Sequence, residues 1–99
     1  MLRHVVMLRW IPEASAASKA EVASGLAGLP DVIDTIRAYR FGPDAGLAEA
    51  NWDFVVVAEF ADVDGYVVYR DHEAHQALIA ERILPITAER AAVQYAWAD

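Results

Sequence analysis

Three observations predict an α+β domain in which helices pack on a four-stranded antiparallel sheet. Two-residue alternation marks residues 2–10 and 36–41, an almost continuous apolar run fills residues 52–60, and helical spacing of apolar residues separates these segments. With a last strand near the end, the order is strand, helix, strand, strand, helix, strand, the βαββαβ arrangement of ferredoxin-like domains. The chain has 99 residues, enough for one domain over residues 1–99 with a modest core.

The first strand, "LRHVVMLRW", sets His4, Val6, Leu8 and Trp10 on one side and Arg3, Val5, Met7 and Arg9 on the other. Ile11 and Pro12 end it, and Ser15 or Ser18 can cap a helix carrying Val22, Leu26 and Leu29, which Gly28 and Pro30 should close. After the strand at 36–41, "GPDAGLAEAN" has the Gly, Pro and Asn of a loop. "WDFVVVAEF" is rich in β-branched and aromatic residues on both sides, as expected of a central strand. Asp62 or Asp64 can cap a short helix through Tyr69, a second helical stretch runs from Glu73 until Pro85 disturbs it, and residues 91–97 form the final strand.

Helices on one face of such a sheet leave the other bare, yet the strands are apolar on both sides: Val5 and Met7 as well as Val6 and Leu8, Val55 and Val57 as well as Phe54 and Val56. A bare apolar face of several hundred Å² is seldom left in water. The expected solution is a homodimer in which two sheets pack face to face, a dimeric α+β barrel.

Composition excludes several classes. With 15 acidic and 8 basic residues, net charge −7, no Lys and Arg cluster exists to bind a phosphate backbone or an anionic membrane. Although 57% of residues are hydrophobic, no segment approaches the roughly 20 apolar residues of a membrane span. The apolar run in "MLRHVVMLRW" is too short for a secretory signal, and the absence of cysteine fits a reducing, cytoplasmic setting.

Chemistry concentrates in "YRDHEAHQAL", residues 69–78, which holds Tyr69, His72 and His75 in a chain with three histidines. On an unbroken helix, positions 69, 72 and 75 share a face without converging. A break at Asp71 and His72 would instead make His72 the residue before a new helix and put His75 in its first turn. There the helix N-terminus favours the neutral imidazole that a general base requires, while Glu73 favours the cation. Tyr69 suits hydrogen bonding to a carbonyl or phenolate oxygen. His4, mid-strand among apolar residues, could orient a substrate or another histidine, or be a structural histidine with a buried partner. As a metal site the His72 and His75 pair lacks further ligands. The aromatic residues Trp10, Trp52, Phe54 and Trp97 are expected in core or dimer packing, and Arg37 and Arg40, which could bind a carboxylate, are expected in surface ion pairs. Glu59, in an apolar strand, must be paired or protonated if buried.

"RHVVMLRW", "WDFVVVAEF", "YRDHEAHQ" and the closing "ERAAVQYAW" together resemble the stress-responsive A/B barrel domain, the Dabb family, along nearly the whole chain. The motif Y-x-x-H-x-A-H is the most specific part. The resemblance implies a ferredoxin-like protomer that pairs through its sheet. One plant member of that family is a polyketide cyclase that closes its linear substrate by aldol condensation without a cofactor. It implies functional roles for Tyr69 and His75, with His4 and His72 in support. Glu73 departs from the proline usual after the first histidine of the motif, which leaves the histidines in place but changes their local electrostatics.

Three functional readings follow. The first is a cofactor-free cyclase, isomerase or lyase acting on a small hydrophobic keto or phenolic compound, with His75 as base, Tyr69 binding the enolate, and His4 and His72 orienting or relaying protons. The second is a non-catalytic ligand-binding or stress-related dimer. The third is a haem-binding protein or cofactor-free monooxygenase, since a histidine in an apolar pocket can ligate iron.

Overall fold

A computed structural model describes residues 1–98. The strands are β1 (Leu2–Trp10), β2 (Ala38–Pro43), β3 (Phe54–Phe60) and β4 (Thr87–Ala96), and the helices are α1 (Ala16–Val32), α2 (Val63–Asp71) and α3 (Glu73–Leu78). They form one four-stranded antiparallel sheet in the order β2-β3-β1-β4. The fold is ferredoxin-like α+β.

The alternation of β1 and β3 translates directly into packing. Leu8, Phe54, Val56, Ala58 and Phe60 are buried on one face, with Val22, Leu26 and Leu29 of α1, Ile33, Tyr69, Leu78 and Ile86 completing the core. The register places Leu2 opposite Phe60 and Leu8 opposite Phe54, so β1 and β3 turn the same set of side chains towards the helices. The opposite face carries Val5, Met7, Val55, Val57 and Val93, of which Met7 and Val93 are exposed. Trp10 packs with Phe54 at 5.4 Å between ring centroids, whereas Trp52 and Trp97 lie under the guanidinium groups of Arg9 and Arg3.

Element boundaries differ from expectation where tertiary contacts outweigh local signals. Ser15 caps α1 in a capping box with Ser18, but the helix passes through Pro30 and ends only at Ile33. The N–H that proline lacks is offset by burial of Leu29 and Ile33 on either side of it. β2 is displaced towards the C-terminus. Ile36 is held in a turn by Ile33, the ladder begins with the Arg37 N–H to Glu59 O bond, and the strand runs on through Pro43, which an edge position tolerates. β4 starts earlier than expected, at Thr87, because pairing with β1 overrides its polar start.

Asp62 caps α2 by accepting from the Gly65 N–H. α3 gives way at Ile79 to a π-helical turn, Ile79–Ile83, and a 3₁₀ turn, Leu84–Ile86, which contains Pro85. Single π turns of this kind recur at functional sites because they widen the local backbone.

Candidate active site

The cavity of interest lies between the helical layer and the sheet, with a volume of about 230 Å³. Val6, Leu8 and Val56 form its floor, and Ile79, Ile83 and Leu84 of the two irregular turns form a wall. Its polar lining consists of His4, Tyr66, Tyr69, Arg70, His75, Gln76, Thr87 and Arg90. Three of the four residues singled out in the sequence, His4, Tyr69 and His75, thus meet at one cavity.

His72 is not among the lining residues. It ends α2 and begins α3, in extended backbone at φ −62° and ψ 136°, and its Nδ1 accepts the Ala74 N–H at 3.0 Å. The anticipated helix restart is present, and it puts His75 in the first turn of α3.

His75 is held by its own neighbourhood. Its Nδ1 lies 3.0 Å from the Arg70 carbonyl oxygen, which can only accept, so Nδ1 carries the proton and Nε2 keeps a lone pair. Its ring packs on that of Tyr69 at 4.1 Å between centroids. Burial holds the imidazole below its ordinary pKa of 6.5, with the Arg70 carbonyl opposing and the Arg90 charge adding to the effect. The outcome is neutral imidazole at pH 7, with burial rather than Glu73 deciding it.

His4 is buried, and its Nδ1 accepts from Gln94 Nε2 at 2.8 Å across β1 and β4. Burial, then the charges of Arg90 and His75, lower it to about 4. It is therefore neutral at pH 7, with the proton on Nε2. Its ring lies 5.0 Å from that of Tyr66 and 6.0 Å from that of Tyr69.

Tyr69 is buried and its hydroxyl shares a 2.9 Å hydrogen bond with that of Tyr39. Burial raises both phenols above their ordinary range, so each stays protonated and able to donate. Tyr39, Tyr66 and Arg90 are site residues that sequence reasoning missed. Tyr39 alternates with Phe41 on β2, which is the signal that could have placed it on the core side. Nothing local marked Arg90, which reaches the cavity because β4 pairs it with Leu8.

Arg37 and Arg40 lie away from this cavity, and neither forms the expected ion pair among the described residues. Arg40 pairs in register with Val57, on the sheet face away from the helices, and Arg37 lines a separate surface hollow beside Asp34 and Asp62. Glu59 is paired: Arg3 Nη2 approaches its Oε2 at 2.9 Å and Arg3 Nε at 3.0 Å. Among the described residues no group of three His, Asp or Glu side chains converges as a metal-ligand set. Among the described residues no helix is long and apolar enough to cross a membrane.

The model of the stress responsive A/B barrel domain matches residues 2–96. The chain belongs to this family. Among solved structures, this A/B barrel domain is similar to a dimeric ferredoxin-like protein of unknown function from Thermobifida fusca. The two are 40% identical, with a TM-score of 0.90 over 97% of this chain and 90% of the other. A hydroxynitrile lyase from Passiflora edulis shares the fold at 15% identity and TM-score 0.83, over 95% and 90% of the two chains. An antibiotic biosynthesis monooxygenase does so at 16% and 0.80, over the full length of both. No curated protein matches the A/B barrel domain.

Proposed function

We propose that this A/B barrel domain is a homodimer that binds a small hydrophobic keto or phenolic compound in the 230 Å³ cavity and acts on it as a cofactor-independent general-base enzyme. The observation that carries this reading is the His75 hydrogen bond to the Arg70 carbonyl. It commits Nδ1 as donor and leaves Nε2 as a basic lone pair in a largely apolar cavity beside a protonated phenol. An enclosed cavity of about 150 Å³ takes benzene, so the volume here suits one ring with a short side chain.

In the step, His75 Nε2 takes a proton from a C–H adjacent to the substrate carbonyl. The electron pair of that bond moves towards the carbonyl oxygen, and the resulting enolate oxygen accepts a hydrogen bond from the Tyr69 hydroxyl. Tyr39 serves Tyr69 by donating to its oxygen, which frees the Tyr69 proton for the ligand. His4 orients the bound compound, and His72 positions His75 through the helix restart. The enolate then attacks an internal carbonyl whose alkoxide takes the proton back from His75, or expels a leaving group that takes that proton, or regains it at another carbon, giving cyclase, lyase or isomerase outcomes.

Deuterium exchange into the methyl group of acetophenone, followed by proton NMR in D2O, tests the base without knowledge of the native substrate. The protein should accelerate exchange, and His75→Ala should slow the catalysed component by about 10²–10⁴-fold while acetophenone binding persists. Undiminished catalysed exchange in His75→Ala overturns the assignment. No catalysed exchange by the wild type, with binding retained, favours the non-catalytic ligand-binding reading.

A further inference from the structure

Two arginines line the cavity, and they are not equivalent. Arg70 forms two hydrogen bonds to Asp71, 2.8 Å from Nε to Oδ1 and 3.0 Å from Nη2 to Oδ2, and is neutralised there. Arg90 has no ion-pair partner among the described residues. It stands on the helix-facing side of β4, four residues before the Gln94 that orients His4, and its residue is exposed, at the edge of the cavity.

Two further groups of the lining can donate as Arg90 does, whereas Gln76 and Thr87 direct donors to the Arg70 and Ile83 carbonyls. His4 offers Nε2–H and, with Tyr39 donating to it, Tyr69 offers its hydroxyl proton, whereas His75 Nε2 is the acceptor reserved for the transferred proton. Arg90, His4 and Tyr69 are together complementary to the acceptor oxygens of a ligand. In a chain of net charge −7, an anionic ligand would be repelled at long range and needs a local cation. A guanidinium without a carboxylate partner at the mouth of a cavity, beside a base, supplies that cation in bidentate form.

Building on the general-base reading of the same site, we infer that the cavity takes a small aromatic or aliphatic carboxylic acid bearing a keto or phenolic oxygen. Arg90 clamps its carboxylate at the cavity mouth, and the carbonyl lies inward towards Tyr69 and His75. The Arg90 charge, already felt by His4, His75 and Tyr69, would then be largely neutralised by the ligand itself.

The test compares three probes of one shape, 4-acetylbenzoate, 4-acetylbenzamide and acetophenone, by NMR titration of wild type, Arg90→Gln and Arg90→Lys. The wild type should bind the benzoate about tenfold or more tightly than the benzamide, and this preference should shrink as salt is added. Arg90→Gln should erase the preference, bringing the benzoate to the level of the benzamide, and Arg90→Lys should retain part of it, as expected of a point charge without the planar fork. Equal binding of benzoate and benzamide by the wild type, or a preference that survives in Arg90→Gln, overturns the inference. Acetophenone separates the two readings: its retained binding keeps the general-base site when the carboxylate inference fails, whereas failure of all three probes to bind the wild type removes both.

Discussion

His4 and His75 show how burial sets chemistry residue by residue. Both imidazoles lie below 6.5, so protons enter the unfolded chain before they enter the folded one. The stability contribution of His4 is complete above about pH 6.5 and is lost as pH falls from there towards 4, amounting to on the order of 3 kcal/mol. Urea denaturation of wild type and His4→Asn between pH 7.5 and 4 checks this, and the variant should show the shallower decline. For catalysis the sign is the same: the rate of acetophenone exchange should rise with pH through a value below 6.5 and then level off, tracking the neutral fraction of His75. The motif and the apolar setting of His4 were legible in the chain, since a histidine alternating with Val6, Leu8 and Trp10 has only a core to point into. Tyr39 and Arg90 were not legible. Tyr39 meets Tyr69 across 30 positions of sequence, and Arg90 shares the cavity with residues of β1 and β3, and such encounters depend on register.

At the scale of elements, two junctions control where His75 sits. The first is the restart at His72, whose backbone already has the extended conformation demanded of a residue before proline. Glu73→Pro should therefore be accommodated at the first position of α3 and raise stability by about 0.4–1 kcal/mol through the unfolded chain, as read by thermal melting. A loss of stability would mean that Glu73 holds the restart by its charge. The second is the crossing of α1 and α3, where a Cβ on Gly25 would lie 2.4 Å from a methyl of the buried Leu78. Gly25→Val should cost about 1–3 kcal/mol by overpacking and should weaken acetophenone binding, because Leu78 moves with the helix that carries His75. Helix starts were readable from Ser15, Asp62 and His72, whose side chains act within a few residues. The end of α1 was not, because what carries the helix past Pro30 is burial against distant strands.

For the whole molecule, the apolar strip of Val5, Met7, Val55, Val57 and Val93 is the surface on which the proposed dimer forms. A lysine or aspartate there would have to be desolvated on pairing. Val57→Lys and Val93→Asp should each shift the protein to monomer in sedimentation velocity, with the helix-facing core unaltered by circular dichroism. An unchanged dimer would place the interface elsewhere. This level was the most legible of all, since period-two patterns with apolar residues on both sides of β1 and β3 specify sheet, core face and surplus face together.

The phenol, the proposed base and the carbonyl that sets the base's tautomer all lie within residues 69–75, on one helix break. Arg90, His4 and the apolar floor come from the sheet. The proposed reactivity and selectivity thus draw largely on different parts of the chain. On the proposed reading, substitutions at the apolar floor positions of β1 and β3 can remodel what the cavity admits while the groups that take the proton stay in place, so the architecture is open to diversification of substrate.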